Sequence, residues 1–179
     1  MSAEQDYWRE RGQTMESGYK ASDAHLAQQT VLLKVLGPIK FKSVLDVGCG
    51  FGRIGELLAD RDVDYTGIDV SDEMIRAARK RLPDGKFRTT SLEAFAPTET
   101  YDLVLAVEFL MHVPPEEVVD AVATMRSLAN RHIVTCDWTE AIKKPAAPHN
   151  WLHDYEALFG DSIVRRETVG RQTVFRVKP

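Results

Sequence analysis

The sequence predicts an α/β fold: a doubly wound, mostly parallel sheet with helices on both faces. Three observations carry this. Short apolar runs suited to buried strands alternate with stretches of helical periodicity between residues 43 and 136. One of these runs ends in a glycine-rich turn, Gly48-Cys49-Gly50-Phe51-Gly52, that leads directly into a helical pattern. Two alternating segments then close the chain around Val169-Gly170-Arg171, the pattern of a hairpin. Strands separated by helices pair in parallel through right-handed crossovers. Ligands of such sheets bind beyond the carboxyl ends of the strands, where strand order reverses.

Each element follows from its residues. Asp6 to Lys20 is aromatic and charged, with Gly12 and Gly18 interrupting it, which predicts a short helix and a loop. Ser22-Asp23 opens a helix carrying Leu26, Val31, Leu33 and Leu36, and Gly37-Pro38 stops it. Ser43 to Val47 is a short apolar strand, and Arg53 to Ala59 a helix with Ile54, Leu57 and Leu58 on one face. Tyr65 to Val70 is the next strand. Ser71-Asp72-Glu73 caps a helix whose apolar residues are Met74, Ile75, Ala78 and Leu82. Lys86 to Thr90 and Tyr101 to Val107 are strands, the second nearly all apolar, as a strand covered on both faces should be. Pro114-Pro115-Glu116-Glu117 opens a helix through Ala129, with Asn130 as its left-handed terminus. His132 to Cys136 is a fifth strand, Asp154 to Phe159 a short helix, and Ile163 to Thr168 and Thr173 to Val177 the hairpin.

Composition narrows the function classes. The chain has 179 residues, 44% hydrophobic and 28% charged, an ordinary balance for one globular domain. Lys and Arg number 23 against 27 Asp and Glu, a net charge of −4. That gives no surplus of cations for sequence-independent nucleic-acid binding. The apolar runs, such as Leu103 to Val107, are far shorter than the roughly 20 residues of a membrane span. Met1 to Glu10 is polar and acidic, unlike a secretory signal, and two cysteines make no disulfide framework. A cytoplasmic setting is expected.

The glycine turn points to a ligand. Glycines at a strand-to-helix junction permit positive φ and a close approach to backbone. Asp69 lies 23 residues after Asp46 at the end of the next strand, where a carboxylate accepts ribose hydroxyls. Gly50 to Gly55 fits G-x-G-x-x-G, a weak pattern alone. The discriminating residue is Asp46, two positions before the first glycine. A carboxylate there repels a pyrophosphate and suits a cationic amino group or sulfonium; the alternative is an Asp46 that only accepts loop amides.

These residues resemble the class I S-adenosylmethionine-dependent methyltransferases. The likeness rests on D-V-G-C-G-F-G at Asp46 to Gly52, G-I-D-V at Gly67 to Val70 and Y-D-L-V-L-A-V-E at Tyr101 to Glu108, and the element order fits from about Phe41 onward. The resemblance implies a Rossmann-like, doubly wound seven-stranded sheet, mostly parallel with an antiparallel last strand and helices on both faces. It implies one methyltransferase domain over 1–179, with 1–36 an N-terminal lid and helical segment and 41–179 the sheet core. By the same resemblance the cofactor is S-adenosyl-L-methionine, leaving as S-adenosyl-L-homocysteine. Asp46 and Gly48 would hold its methionine end within the turn completed by Cys49, Gly50, Gly52 and Arg53. Asp69 would take the ribose, and Val70 and Met74 would flank the adenine. Ser91, Leu92 and Glu93 would meet its edge and face, and Glu108 and Phe109 would adjoin the methyl group. Two departures stand out. Thr90-Ser91-Leu92-Glu93 lacks an acid at the usual adenine position, and Leu128-Ala129-Asn130-Arg131 lacks the proline and glycines common before the fifth strand.

The acceptor side is less specific. His112, just past the fourth strand, is either a general base or a structural tie for its loop. Asp137, Trp138, His149, His153 and Tyr155 either form an acceptor pocket or belong to core and caps. Tyr7, Trp8 and Tyr19 would fold over them as a lid. His149, His153 and Asp154 lack an evident third ligand, so no metal is expected. Cys136 reads as core: the Pro-Cys of cytosine-C5 methylation and the Asn/Asp-Pro-Pro-Tyr of amino-group nucleic-acid methylation are both absent. Lys143-Lys144 reads as a solvated loop, and Arg165, Arg166, Arg171 and Arg176 as guards of an edge strand or an anion site. The expectation is methyl transfer to an O or N atom of a small molecule, with no membrane partner. Its alternatives are RNA or protein methylation, or a non-catalytic cofactor-binding subunit.

Overall fold

The central strands alternate their side chains across the sheet and so bury residues on both faces. The computed structural model describes residues 3–15, 22–140 and 149–179. Its strands are β1 (Ser43–Val47), β2 (Asp64–Asp69), β3 (Lys86–Thr89), β4 (Tyr101–Val107), β5 (Ala129–Trp138), β6 (Ile163–Val169) and β7 (Gln172–Val177). The helices are α1 (Ala3–Met15), α2 (Asp23–Leu36), α3 (Arg53–Glu56), α4 (Asp72–Arg81), α5 (Val118–Leu128) and α6 (Tyr155–Phe159). Sheet order is β3-β2-β1-β4-β5-β7-β6, so order reverses between β1 and β4. The pairs among β1 to β5 are parallel, whereas β7 runs antiparallel to both β5 and β6. The last strand is therefore the antiparallel one, inserted between β5 and an edge strand β6.

One face buries Leu45, Val104, Ala106 and Ile133 against α5 and α6; the other buries Val44, Leu103, Leu105 and Val134 against α2 and α4. This one-residue alternation along β1 and β4 is the strand period itself. Gly55, in α3, lies against Tyr65 of β2, where an added Cβ would come within 2.7 Å of the ring.

Several boundaries differ from expectation. α1 continues through Gly12 to Met15. Gly18, Tyr19 and Lys143-Lys144 lie outside the described residues. On α2 the buried stripe is Gln28, Leu32, Val35 and Leu36, leaving Leu26 and Leu33 largely exposed; residues seven apart on a neighbouring stripe point away from the sheet. α3 ends at Glu56 because the next amides bond three residues back, Leu57 to Ile54 and Leu58 to Gly55. Pro114 to Glu117 form a turn before α5, the Glu117 and Val118 amides both donating to the Pro114 carbonyl. α5 stops at Leu128 with Ala129 already extended, and Asn130 enters β5, tied by the Thr100 hydroxyl at 2.7 Å. No left-handed cap is needed where the chain passes directly into a strand.

Candidate functional site

A cavity of about 430 Å³ opens at the carboxyl ends of β1, β2 and β4, at the reversal of strand order. The glycine turn forms one wall. Gly48, Gly50 and Gly52 all have positive φ, and a Cβ on Gly48 would strike Phe109 at 2.7 Å. Asp69 fastens the turn: the Gly50 amide donates to Oδ2 at 3.0 Å and the Ser71 amide to Oδ1 at 2.9 Å. Burial raises the Asp69 carboxyl above its usual range, and these amides pull against that rise. The Val70 amide also favours the charged carboxylate, which keeps one of its four lone pairs for a ligand hydroxyl.

Asp46 is buried at the cavity floor. The Tyr65 hydroxyl donates to its Oδ2 at 2.5 Å. Burial pushes its pKa up to about 7, while the Tyr65 bond and Arg53 oppose the rise and Asp69 adds to it. A cationic group entering the cavity would draw Asp46 to its charged form. Cys49, Arg53, Val70, Met74, Ser91, Leu92 and Glu93 line the same cavity.

The opposite wall begins at Glu108, the one non-glycine with positive φ among the described residues (φ 55°). Both of its oxygens are held. Arg53 Nη2 lies 3.2 Å from Oε2, and Gln172 Nε2 donates to Oε1 at 2.7 Å. Gln28 Nε2 donates in turn to Gln172 Oε1 at 2.9 Å. No sequence motif marks Gln28 or Gln172. Their one signal is Gln28, a polar residue on the apolar stripe of α2.

His112 ends a 3₁₀ turn, Leu110–His112, and lines the cavity. Its Nδ1 lies 2.9 Å from the His149 carbonyl oxygen. A carbonyl only accepts, so Nδ1 carries the proton and Nε2 keeps the lone pair in the neutral ring. Burial holds its pKa below the ordinary histidine value. Trp8 of α1 packs on the ring, centroids 4.4 Å apart, and Tyr7 packs on Trp8 and His149. Arg9 pins α1 to the sheet by donating to the Val70 carbonyl at 3.2 Å. Trp138 and Asn150 complete this wall.

Four residues expected at an acceptor pocket stand behind it instead. Asp137 is fully buried, accepts the Met111 amide at 3.2 Å, and is raised by burial to about 7. His153 Nε2 donates to the Leu110 and Val113 carbonyls at 2.9 and 3.0 Å. Tyr155 is core, stacked against Phe159 and Phe175. His149 braces His112 and Tyr7 from outside the cavity wall. For Asp137 and His153 the reason is the turn after β4, whose amides and carbonyls take up these polar groups; Tyr155 instead joins the aromatic core. Among the described residues no three His, Cys, Asp or Glu side chains are grouped to hold a metal, and no helix is long and apolar enough to cross a membrane.

Residues 44–132 match a methyltransferase domain family. The ubiquinone biosynthesis O-methyltransferase of Nitrosomonas europaea is 35% identical over 99 residues, 51% of this chain and 42% of that protein. Its counterpart in Azoarcus sp. is 42% identical over 91 residues, 47% of this chain and 39% of that protein. The chain thus spans less than half the length of these curated relatives. Among solved structures, the N-methyltransferase NodS from Bradyrhizobium japonicum WM9, in complex with S-adenosyl-L-homocysteine, superposes with a TM-score of 0.81 at 19% identity over 98% of each chain. Magnesium protoporphyrin IX methyltransferase from Synechocystis PCC 6803, with bound S-adenosylmethionine, gives 0.77 at 20% identity, covering 100% of this chain and 99% of that one. At such identities the likeness is one of fold. With the motif residues, the sheet order and the domain match agreeing, the chain belongs to the class I S-adenosylmethionine-dependent methyltransferase family.

Proposed function

We propose that this protein transfers the methyl group of S-adenosyl-L-methionine to an O or N atom of a small acceptor, releasing S-adenosyl-L-homocysteine. The observation that carries the reading is one cavity that joins Asp46, the glycine turn and Asp69 to a His112 whose Nε2 holds a free lone pair. The residues fit the cofactor. Asp69 has a lone pair left for a ribose hydroxyl, Gly50 leaves open space that a side chain would enter, and buried Arg53 Nη1 has no partner among the described residues. Asp46 and Gly48 take the methionine end, with Cys49, Gly50, Gly52 and Arg53 forming the cradle. Val70, Met74, Ser91, Leu92 and Glu93 enclose the adenine, and Glu108 and Phe109 border the methyl group.

S-adenosylmethionine supplies the methyl as a sulfonium: an acceptor O–C or N–C bond forms as S–CH₃ breaks, and that bond's electron pair returns to sulfur. His112 Nε2 takes the acceptor's proton, which favours a hydroxyl acceptor. Burial keeps the ring neutral, and so basic, around pH 7. Tyr7, Trp8 and Trp138 wall the acceptor and exclude water, and α1 acts as a lid on a single domain. A net charge of −4 supports a small acceptor over nucleic acid, and two free cysteines suit the cytoplasm. The test is methyl transfer from labelled S-adenosylmethionine to a panel of hydroxylated metabolites, bulk tRNA and folded protein. Label in one or a few small molecules is expected. Label only in tRNA or protein would overturn the substrate class, and no transfer to any acceptor would overturn the activity.

A further inference from the structure

The acceptor wall holds polar atoms that the fold leaves without work. Trp8 Nε1 and Asn150 Nδ2 are buried and have no hydrogen-bond partner among the described residues. Buried polar groups in native proteins nearly always find partners, so an orphan set asks for an explanation. Both side chains line the cavity, and both converge on His112. The Trp8 ring packs on the imidazole at 4.4 Å. Asn150 directly follows His149, whose carbonyl holds His112 Nδ1, and its side-chain oxygen is within hydrogen-bond reach of the imidazole, which favours the charged ring and leaves Nδ2 unpartnered. Other orphans lack this arrangement: His132 Nδ1 and Thr135 Oγ1 belong to β5 and do not line the cavity.

The chemistry of the set specifies its ligand. An indole N–H only donates, and an amide NH₂ only donates, so both ask for an oxygen or nitrogen acceptor. Asn150 Oδ1 only accepts, and it serves the His112 ring, favouring the imidazolium that forms as the acceptor's proton arrives. The walls are planar and aromatic: Tyr7, Trp8 and Trp138.

We propose that Trp8 and Asn150 form a subsite for a second, non-reacting oxygen of the acceptor, a carbonyl or carboxylate carried within a few bonds of the methylated hydroxyl. The substrate class is then a planar hydroxy-ketone or hydroxy-acid rather than a simple alcohol, phenol or amine. This rests on the methyltransferase reading of the same cavity.

The experiment uses the full chain saturated with S-adenosyl-L-homocysteine, saturation being checked first by calorimetry. Phenol, 2-hydroxyacetophenone and 2-hydroxybenzoate are then titrated, following affinity and the indole N–H resonance of Trp8, assigned with Trp8→Phe. The expected result is that one or both oxygen-bearing probes bind about tenfold or more tighter than phenol and shift that resonance. Which of the two binds more tightly separates carbonyl from carboxylate. In Trp8→Phe and in Asn150→Leu the preference should fall toward one. Equal affinities, tighter binding of phenol, no binding of any probe, or a preference that survives in both variants would overturn the subsite while leaving the cofactor reading intact. Failure to bind S-adenosyl-L-homocysteine would overturn the cofactor reading and the subsite with it.

Discussion

The two walls of the cavity are assembled over different distances in sequence. The cofactor wall comes from one β-turn-α unit and the strand beside it: Asp46, the glycine turn and Asp69 fall within 24 consecutive residues. The acceptor wall brings together α1, the turn after β4 and the segment after β5, with Trp8 on His112 and His112 on His149. The first wall is fixed by local backbone demands, positive φ and amide donors, that only a few residue types meet. The second is fixed by packing, in which a histidine or tyrosine faces either side of a loop with equal local ease. Single substitutions should therefore affect the two walls differently.

The largest effect is expected on the acceptor wall. His112→Ala should lower kcat by about 10²- to 10⁴-fold, the usual worth of a general base, while cofactor affinity changes little. Turnover at the wild-type level from pH 6 to 9 would reduce His112 to a structural tie and break the contrast. On the cofactor wall the signature is reversed. Asp69→Ala should weaken S-adenosyl-L-homocysteine binding through a lost hydrogen bond to a charged group, about 1.5–3 kcal/mol. It should also loosen the turn by freeing the Gly50 amide. Calorimetry with unchanged affinity would remove Asp69 from the ribose.

How much was legible follows the same division. The doubly wound sheet, the glycine turn and the two acids could be read from short motifs because each needs only neighbouring residues. The helix starts at Ser22 and Ser71 could be read for the same reason, since a cap is local. His153 and Tyr155 could not be assigned a side. His153 turns to the Leu110 and Val113 carbonyls of the turn after β4, and Tyr155 joins Phe159 and Phe175 because α6 packs on β7. The end of α5 is not legible locally because Asn130 answers to a partner, Thr100, thirty residues away. Asn150 carries no sequence signal at all; its amide matters only for where the chain places it.

A smaller effect sharpens the distinction between lining and support. Asp137 holds the turn under His112 from behind, and burial raises its pKa from 3.8 to about 7. A carboxyl raised on folding binds a proton more tightly in the native state, so its contribution to stability is present below about pH 4 and is lost as pH rises through 7. Asp137→Asn keeps the carbonyl that accepts the Met111 amide and removes the titration. Relative to wild type, the variant should gain stability progressively between about pH 4 and 7 in urea unfolding. A constant difference across that window would mean that Asp137 does not titrate with folding.

The most direct test of the central claim is a crystal structure of the protein with S-adenosyl-L-homocysteine. The predicted result places the ribose on Asp69, the homocysteine amino group by Asp46 and Gly48, and the sulfur facing His112 across the cavity. A ligand bound elsewhere, or one in this cavity with its ribose away from Asp69, would contradict the assignment.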